Sequence, residues 1–116
     1  MSFNIVYVEP AESTYAKIES EALKAFSNRQ KTKKTKTSKQ EGLFKQIRKT
    51  IKFLSQNPKH PSLNTHPYDS IQNPYDSDEK VFEAYAQNNT PGAYRVFWCY
   101  GPEKTDITII AITPHP

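Results

Sequence analysis

The sequence predicts an α+β fold in the order β-α-α-β-β-β, with two helices covering one face of an antiparallel sheet. Three observations carry this prediction. Two stretches before Asn57-Pro58 place apolar residues at spacings of three and four, the mark of amphipathic helices. From Lys80 onward the pattern changes to period two, the mark of half-buried strands. Only short turns, "NNTPG" and "YGPEKTD", separate these later strands, which makes them neighbours in an antiparallel meander.

"FNIVYV" is the first strand, rich in β-branched and aromatic residues, and Pro10 ends it where a helix can begin. The first helix carries the stripe Tyr15, Ile18, Ala22, Ala25 and Phe26. "SNRQKTKKTKTSK" then loses all periodicity and reads as a basic loop, at about 29–39. Ser38 and Glu41 have capping-box spacing and open a second helix, with Phe44, Ile47, Ile51 and Leu54 as its buried stripe. Lys45, Arg48, Lys49 and Lys52 fall together on its other side, and Asn57-Pro58 stops it. A Pro- and Asp-rich loop follows, at about 58–79, with "PYDS" occurring twice. Asp69, Asp76 and Asp78 within it match no metal-ligand spacing. "KVFEAYAQ", "AYRVFWCY" and "ITIIAIT" are the last three strands, and Pro91-Gly92 between the first two suits a type II turn.

A chain of 116 residues makes one domain, 1–116, with a real core and no room for a second. No apolar stretch approaches a membrane span, and "MSFNIVYVEP" lacks the basic start of a secretory signal. The single cysteine, Cys99, fits a reducing compartment, so a cytoplasmic location is expected. "NNT" at Asn88–Thr90 is then a turn and not a glycosylation site. The net charge of +4 is unevenly spread. Twelve Lys or Arg lie between Lys24 and Lys59 against one acid, Glu41, which favours an anionic partner, nucleic acid first.

Alternation sorts the strands into a core side and a site side. Tyr94, Val96, Trp98 and Tyr100 share one face; Arg95, Phe97 and Cys99 share the other. Phe82, Ala84 and Ala86 oppose Val81, Glu83 and Tyr85. The last strand delivers His115 to the rim of the sheet, on a side that the sequence leaves open. Glutamate, histidine, tyrosine and arginine together supply what metal-free RNA cleavage needs: a base, an acid, and a cation for the phosphorane charge. The candidate catalytic residues are therefore Arg95, His115, Glu83 and Tyr85. Each has a plainer alternative: Arg95 as the partner of Glu83, Glu83 as a solvated charge, Tyr85 as packing, His115 as an exposed terminus. His60, His66 and His115 with Cys99 show no metal-ligand spacing.

"EKVFEAYAQNNTPGAYRVFW" with a hydrophobic last strand and "ITPHP" resembles the RelE/ParE superfamily of bacterial toxin–antitoxin toxins, nearest to a plasmid-stabilisation, RelE-like branch. "NPKHPSLNTHPY" after the second helix supports it, and the likeness covers roughly residues 41–116. The resemblance implies two helices on a twisted antiparallel sheet. It also implies a ribosome-dependent endoribonuclease that cleaves mRNA, arrests translation, needs no metal or cofactor, and is silenced by an antitoxin protein. Tyr94-Arg95 matches the family's "YR", with Arg95 in the place of a phosphate-contacting arginine, and His115 falls near the C-terminal His or Tyr of several members. RelE-like nucleases often carry a further arginine or lysine where this chain has Glu83, Ala84 and Tyr85. The alternative is a gyrase inhibitor of ParE type, or an inactive binding protein of the same fold.

The resemblance and the charge pattern together give Lys31, Lys33, Lys34, Lys36, Lys39, Lys45, Arg48, Lys49 and Lys52 as RNA-binding candidates. If about six phosphates are neutralised, raising salt from about 50 to about 200 mM lowers RNA affinity by about 10²–10³. Fluorescence anisotropy with a labelled RNA measures this directly, and a flat salt profile reduces the basic segment to a solubilising charge run.

Overall fold

A computed structural model describes residues 2–33, 36–87 and 92–114. Strand β1 (Asn4–Tyr7) leads to helices α1 (Ala11–Lys31) and α2 (Lys39–Gln56) and a single 3₁₀ turn (Pro61–Leu63). Strands β2 (His66–Pro67), β3 (Phe82–Tyr85), β4 (Tyr94–Tyr100) and β5 (Asp106–Pro114) follow. The sheet order is β1-β5-β4-β3-β2. The expected meander β3-β4-β5 is antiparallel. Two features go beyond the expectation: β1 joins β5 in parallel, so the sheet is mixed, and β2 adds a short antiparallel edge strand.

The capping box expected at α2 is formed. Ser38 Oγ accepts the Glu41 amide at 3.1 Å, and Glu41 Oε2 accepts the Ser38 amide at 2.9 Å. Ile47, Ile51 and Leu54 are buried as the stripe requires. Helix α1 runs on beyond Phe26, the last residue of its apolar stripe, through Lys31, so the basic connection is shorter than expected. Arg29 and Lys31 sit in its last turn, where cations complement the helix dipole. Arg29 also reaches across to Glu41 (2.9 Å), pinning the end of α1 to the start of α2. The far end of the α1 stripe stays uncovered: Ala22 is buried, but Phe26 is 44% exposed and its neighbour Leu23 61%.

The core lies between the helices and one sheet face, with Ile18, Ile47, Ile51 and Leu54 against Ala84, Val96, Trp98, Ile107, Ile109 and Ile112. Tyr7, Tyr15 and Phe44 form an aromatic ladder at 5.3 and 5.7 Å that ties β1 to both helices. The second face has its own cluster, Val81, Phe97, Cys99, Ile110 and Ala111. It is covered by the Pro- and Asp-rich segment, not by a helix. Tyr68 packs on Phe97 at 4.6 Å, Ile71 joins the cluster, and the Tyr75 hydroxyl lies 2.8 Å from Thr108 Oγ1. Thus each copy of "PYDS" lays a tyrosine on this face. Asn73 fastens the segment, its Oδ1 accepting the Tyr75 and Asp76 amides at 2.9 and 3.2 Å. Gly101 has φ +115°, and a Cβ there meets the Tyr75 ring at 3.3 Å, so glycine both makes the turn and admits the tyrosine. At the other turn Gly92 has φ +82°, as position three of a type II turn requires, while Asn88–Pro91 lie outside the described residues.

Arg29 holds the Glu41 carboxyl down at about 2, with the Ser38 amide adding to the effect. A carboxyl depressed on folding stabilises fully above its unfolded pKa and loses that contribution as pH falls through its folded value. Glu41→Gln is therefore expected to lower the melting temperature most near neutral pH, with the gap to the parent closing between the ordinary carboxylate range and pH about 2. Thermal melts across that range check it; a gap independent of pH sinks the assignment.

Candidate functional site

Period-two alternation sends Phe82 and Ala84 of β3 toward the helices and Glu83 and Tyr85 to the second face. On β4, Arg95 and Phe97 take that same face, with Tyr85 opposite Arg95 and Glu83 opposite Phe97. The edge strand adds His66 directly opposite Glu83. Four side chains able to move protons or hold phosphate thus meet on the second face, beside Tyr68.

Glu83 is the centre of this group. Its Oε1 lies 2.5 Å from His66 Nε2, and its Oε2 accepts Arg95 Nη1. Glu83 is 2% exposed and Arg95 7%, so the ion pair is inside the protein. The guanidinium rests against the rings of Phe97 and Tyr68, with centroids 4.9 and 5.8 Å away. Arg95 Nε is buried without a partner. His66 is the opposite case, its side chain about half exposed. Its Nδ1 lies 3.0 Å from the carbonyl oxygen of Asn64, which takes the left-handed conformation that closes the 3₁₀ turn. Both ring nitrogens therefore face oxygen acceptors. The ring also lies 5.6 Å from Tyr85. Burial, and then the charge and hydrogen bond of Glu83, push the Tyr85 hydroxyl above its ordinary pKa, so it is a donor at neutral pH.

Of the candidates read from the sequence, Glu83, Tyr85 and Arg95 come together, in the paired arrangement that was the plainer alternative for Arg95. His115 and Lys34 lie outside the described residues. Lys31 ends α1, Lys33 has φ 57° just beyond it, and Lys39 opens α2. Lys45, Arg48, Lys49 and Lys52 line a groove of about 620 Å³ between the helices, floored by Ala22, Leu23, Phe26 and Phe44. This puts the helical cations on the helix layer and the Glu83 group across the sheet from it. Sequence reasoning considered His66 only as a metal ligand. Its signal was weak because a two-residue strand shows no alternation, although the following Pro67, which lacks an N–H, suits an edge. Among the described residues no three His, Cys, Asp or Glu side chains gather as metal ligands, and no helix is long and apolar enough to cross a membrane.

No family model and no curated protein matches the sequence. Solved structures do match the fold. The YoeB dimer from Staphylococcus aureus superposes with a TM-score of 0.60 at 11% identity, covering 100% of both chains. The archaeal RelE-RelB complex from Pyrococcus horikoshii OT3 gives 0.56 at 10%, covering 98% of this chain and 96% of that one. A YoeB/ParE toxin from Agrobacterium tumefaciens gives 0.57 at 10%, covering 97% and 99%. The order of elements, the helix pair on one sheet face and these full-length superpositions give one result: the chain has the α+β fold of the RelE, YoeB and ParE toxins.

Proposed function

We propose that the protein is the toxin of a toxin–antitoxin pair and acts as a metal-independent, ribosome-dependent endoribonuclease on mRNA. The observation that carries this reading is the Glu83 carboxylate held between a buried Arg95 and a half-exposed His66. Cleavage next to a 2′-hydroxyl requires a base for that proton and an acid for the departing 5′-oxygen. His66 supplies the acid, its ring held in place by Glu83 as in other carboxylate–histidine pairs. Tyr85 donates to a non-bridging phosphate oxygen. His115 takes the 2′-hydroxyl proton. Arg95, already committed to Glu83, fixes the charge and position of the carboxylate instead of meeting the phosphate itself.

His66→Ala is expected to lower mRNA cleavage in a reconstituted translation system by about 10²–10⁴. Its fold should survive, because the ring lies at an edge. Arg95→Ala strands a buried carboxylate and should destabilise the protein by about 3–5 kcal/mol. Primer extension for cleavage and thermal melts for folding separate the two effects. Unchanged cleavage in both His66→Ala and His115→Ala removes these histidines from the chemistry, and no cleavage by the parent protein ends the nuclease reading. One observation favours the alternative, a gyrase inhibitor or inactive binder: Arg95 is buried and paired, so the second face offers little free positive charge to a phosphate. A supercoiling assay with purified gyrase distinguishes it.

The groove between the helices supports an antitoxin as partner. Leu23 and Phe26 are exposed on its floor, and Lys45, Arg48, Lys49 and Lys52 rim it, which suits an acidic amphipathic segment. The Pyrococcus horikoshii RelE was solved in complex with RelB, which supports a protein partner for this fold. An acidic protein encoded beside this one should co-purify on co-expression. Leu23→Glu with Phe26→Glu should abolish that while changing stability by no more than about 0.5 kcal/mol per site. Retained co-purification moves the partner's seat elsewhere.

A further inference from the structure

A cleft of about 450 Å³ opens on the helix side of the sheet, between the segment after α2 and strands β3 and β4. That volume is within the about 300–1,000 Å³ of small-molecule sites. Glu83, Arg95, Tyr85 and His66 do not line it; the two sites share only Asn64, whose carbonyl oxygen meets His66. Its wall is aromatic: Phe82 stacks on Trp98 at 4.8 Å, and Tyr100 stands edge-on to both at 5.9 and 5.0 Å.

Trp98 and Thr65 line this cleft, and each carries a buried polar atom without a partner, Nε1 and Oγ1. The only other such side-chain atom among the described residues is Arg95 Nε. Trp98 is 1% exposed, so bulk water does not serve its N–H. Buried polar groups are paired as a rule, and two exceptions in one cleft point to an occupant that supplies acceptors.

His60 adds to the surplus of donors. Its ring stacks on Phe53 at 4.4 Å, and its Nδ1 accepts the Ser62 amide at 3.0 Å. That bond leaves the ring proton on Nε2, as a donor. Lys59, exposed in the same lining, contributes a cation. The cleft therefore combines an aromatic wall, several donors and one positive charge. An aliphatic ligand leaves the donors unpaired, and a simple anion leaves the wall unused. A planar heterocycle bearing acceptors and an anionic group satisfies both.

We propose that this cleft binds one nucleotide: its heterocycle lies against Phe82 and Tyr100, its acceptors meet Trp98 and Thr65, and its phosphate meets Lys59. Stacking tolerates any base, because every base has a π-face. The chemistry is shared by a free mononucleotide and by one residue of single-stranded RNA. Thr65 precedes His66 and Phe82 precedes Glu83, so cleft and ion cluster lie back to back across the sheet edge. Binding here does not depend on any cleavage by that cluster.

Trp98 is the sole tryptophan, so its fluorescence reports the cleft. The full chain is titrated with AMP, GMP, CMP, UMP and a short single-stranded oligoribonucleotide. Saturable fluorescence change with a Kd at or below about 1 mM is expected for at least one of them. Adenosine should bind more weakly than AMP. Lys59→Ala and Thr65→Val should each weaken binding about tenfold, as loss of a charged or buried polar partner does. Tighter binding of the oligonucleotide assigns the cleft to RNA, and tighter binding of a mononucleotide assigns it to free nucleotide. Thermal melts confirm that both variants fold, and the AMP–adenosine comparison on the parent chain stands whether they do or not. The proposal is overturned if no titration saturates, or if Lys59→Ala and Thr65→Val leave the curves unchanged.

Discussion

Strand β4 is buried on both faces, and the rest of the architecture answers that constraint. Val96 and Trp98 need cover on one side of the sheet, Phe97 and Cys99 on the other. The two helices can supply only the first layer. A third helix is absent from the pattern of the chain, so the second layer comes from an irregular segment that uses tyrosine as its covering element. A segment of this kind has few apolar residues, and each must do much: Tyr68, Ile71 and Tyr75 cover most of the second face between them. Beside Tyr68 the same face carries polar side chains, Glu83, Arg95, Tyr85 and His66, the first two buried and the last open to solvent.

The Glu83–Arg95 pair therefore has two aspects. As structure, it lets two charges sit at the margin of a core without a stranded partner, which is the condition for burying them at all. As chemistry, it offers a carboxylate whose remaining oxygen is aimed at an exposed imidazole. Burial of Cys99 nearby pushes its thiol up to about 11, so the only thiol of the chain is kept protonated and inert beneath the same cover. The polar groups that this face presents are thus oxygen and nitrogen groups.

Charge is divided between the two sides of the molecule. The lysines and arginine of α2 rim an apolar trough on the helix layer, while the second face carries an internally balanced cluster. A strip of cations alone suits phosphate; cations flanking exposed leucine and phenylalanine suit an amphipathic polypeptide better, since a nucleic acid backbone gains nothing from Leu23. The distinction was invisible while the same residues were only a run of lysines in a list of letters.

The sequence by itself determined the helices, the meander and the two faces of β3 and β4, because each rests on local periodicity and on a cap formed within four residues. Glu83, Tyr85 and Arg95 were legible for the same reason: alternation alone puts them on one face. What only the tertiary structure decided depends on pairings between distant segments. The parallel seat of β1 beside β5 is one case, and the delivery of His66 to Glu83 by a strand of two residues is another. The third is the bulge in β5, where Trp98 pairs with Ile109 and Phe97 with Ala111, leaving Ile110 extra. That added residue reverses the alternation beyond it, so Ile112 enters the helix core and Thr113 turns to Arg95 on the second face. A period-two pattern carries no mark of such a reversal, because it arises from how two neighbouring strands twist and pair and not from either strand alone.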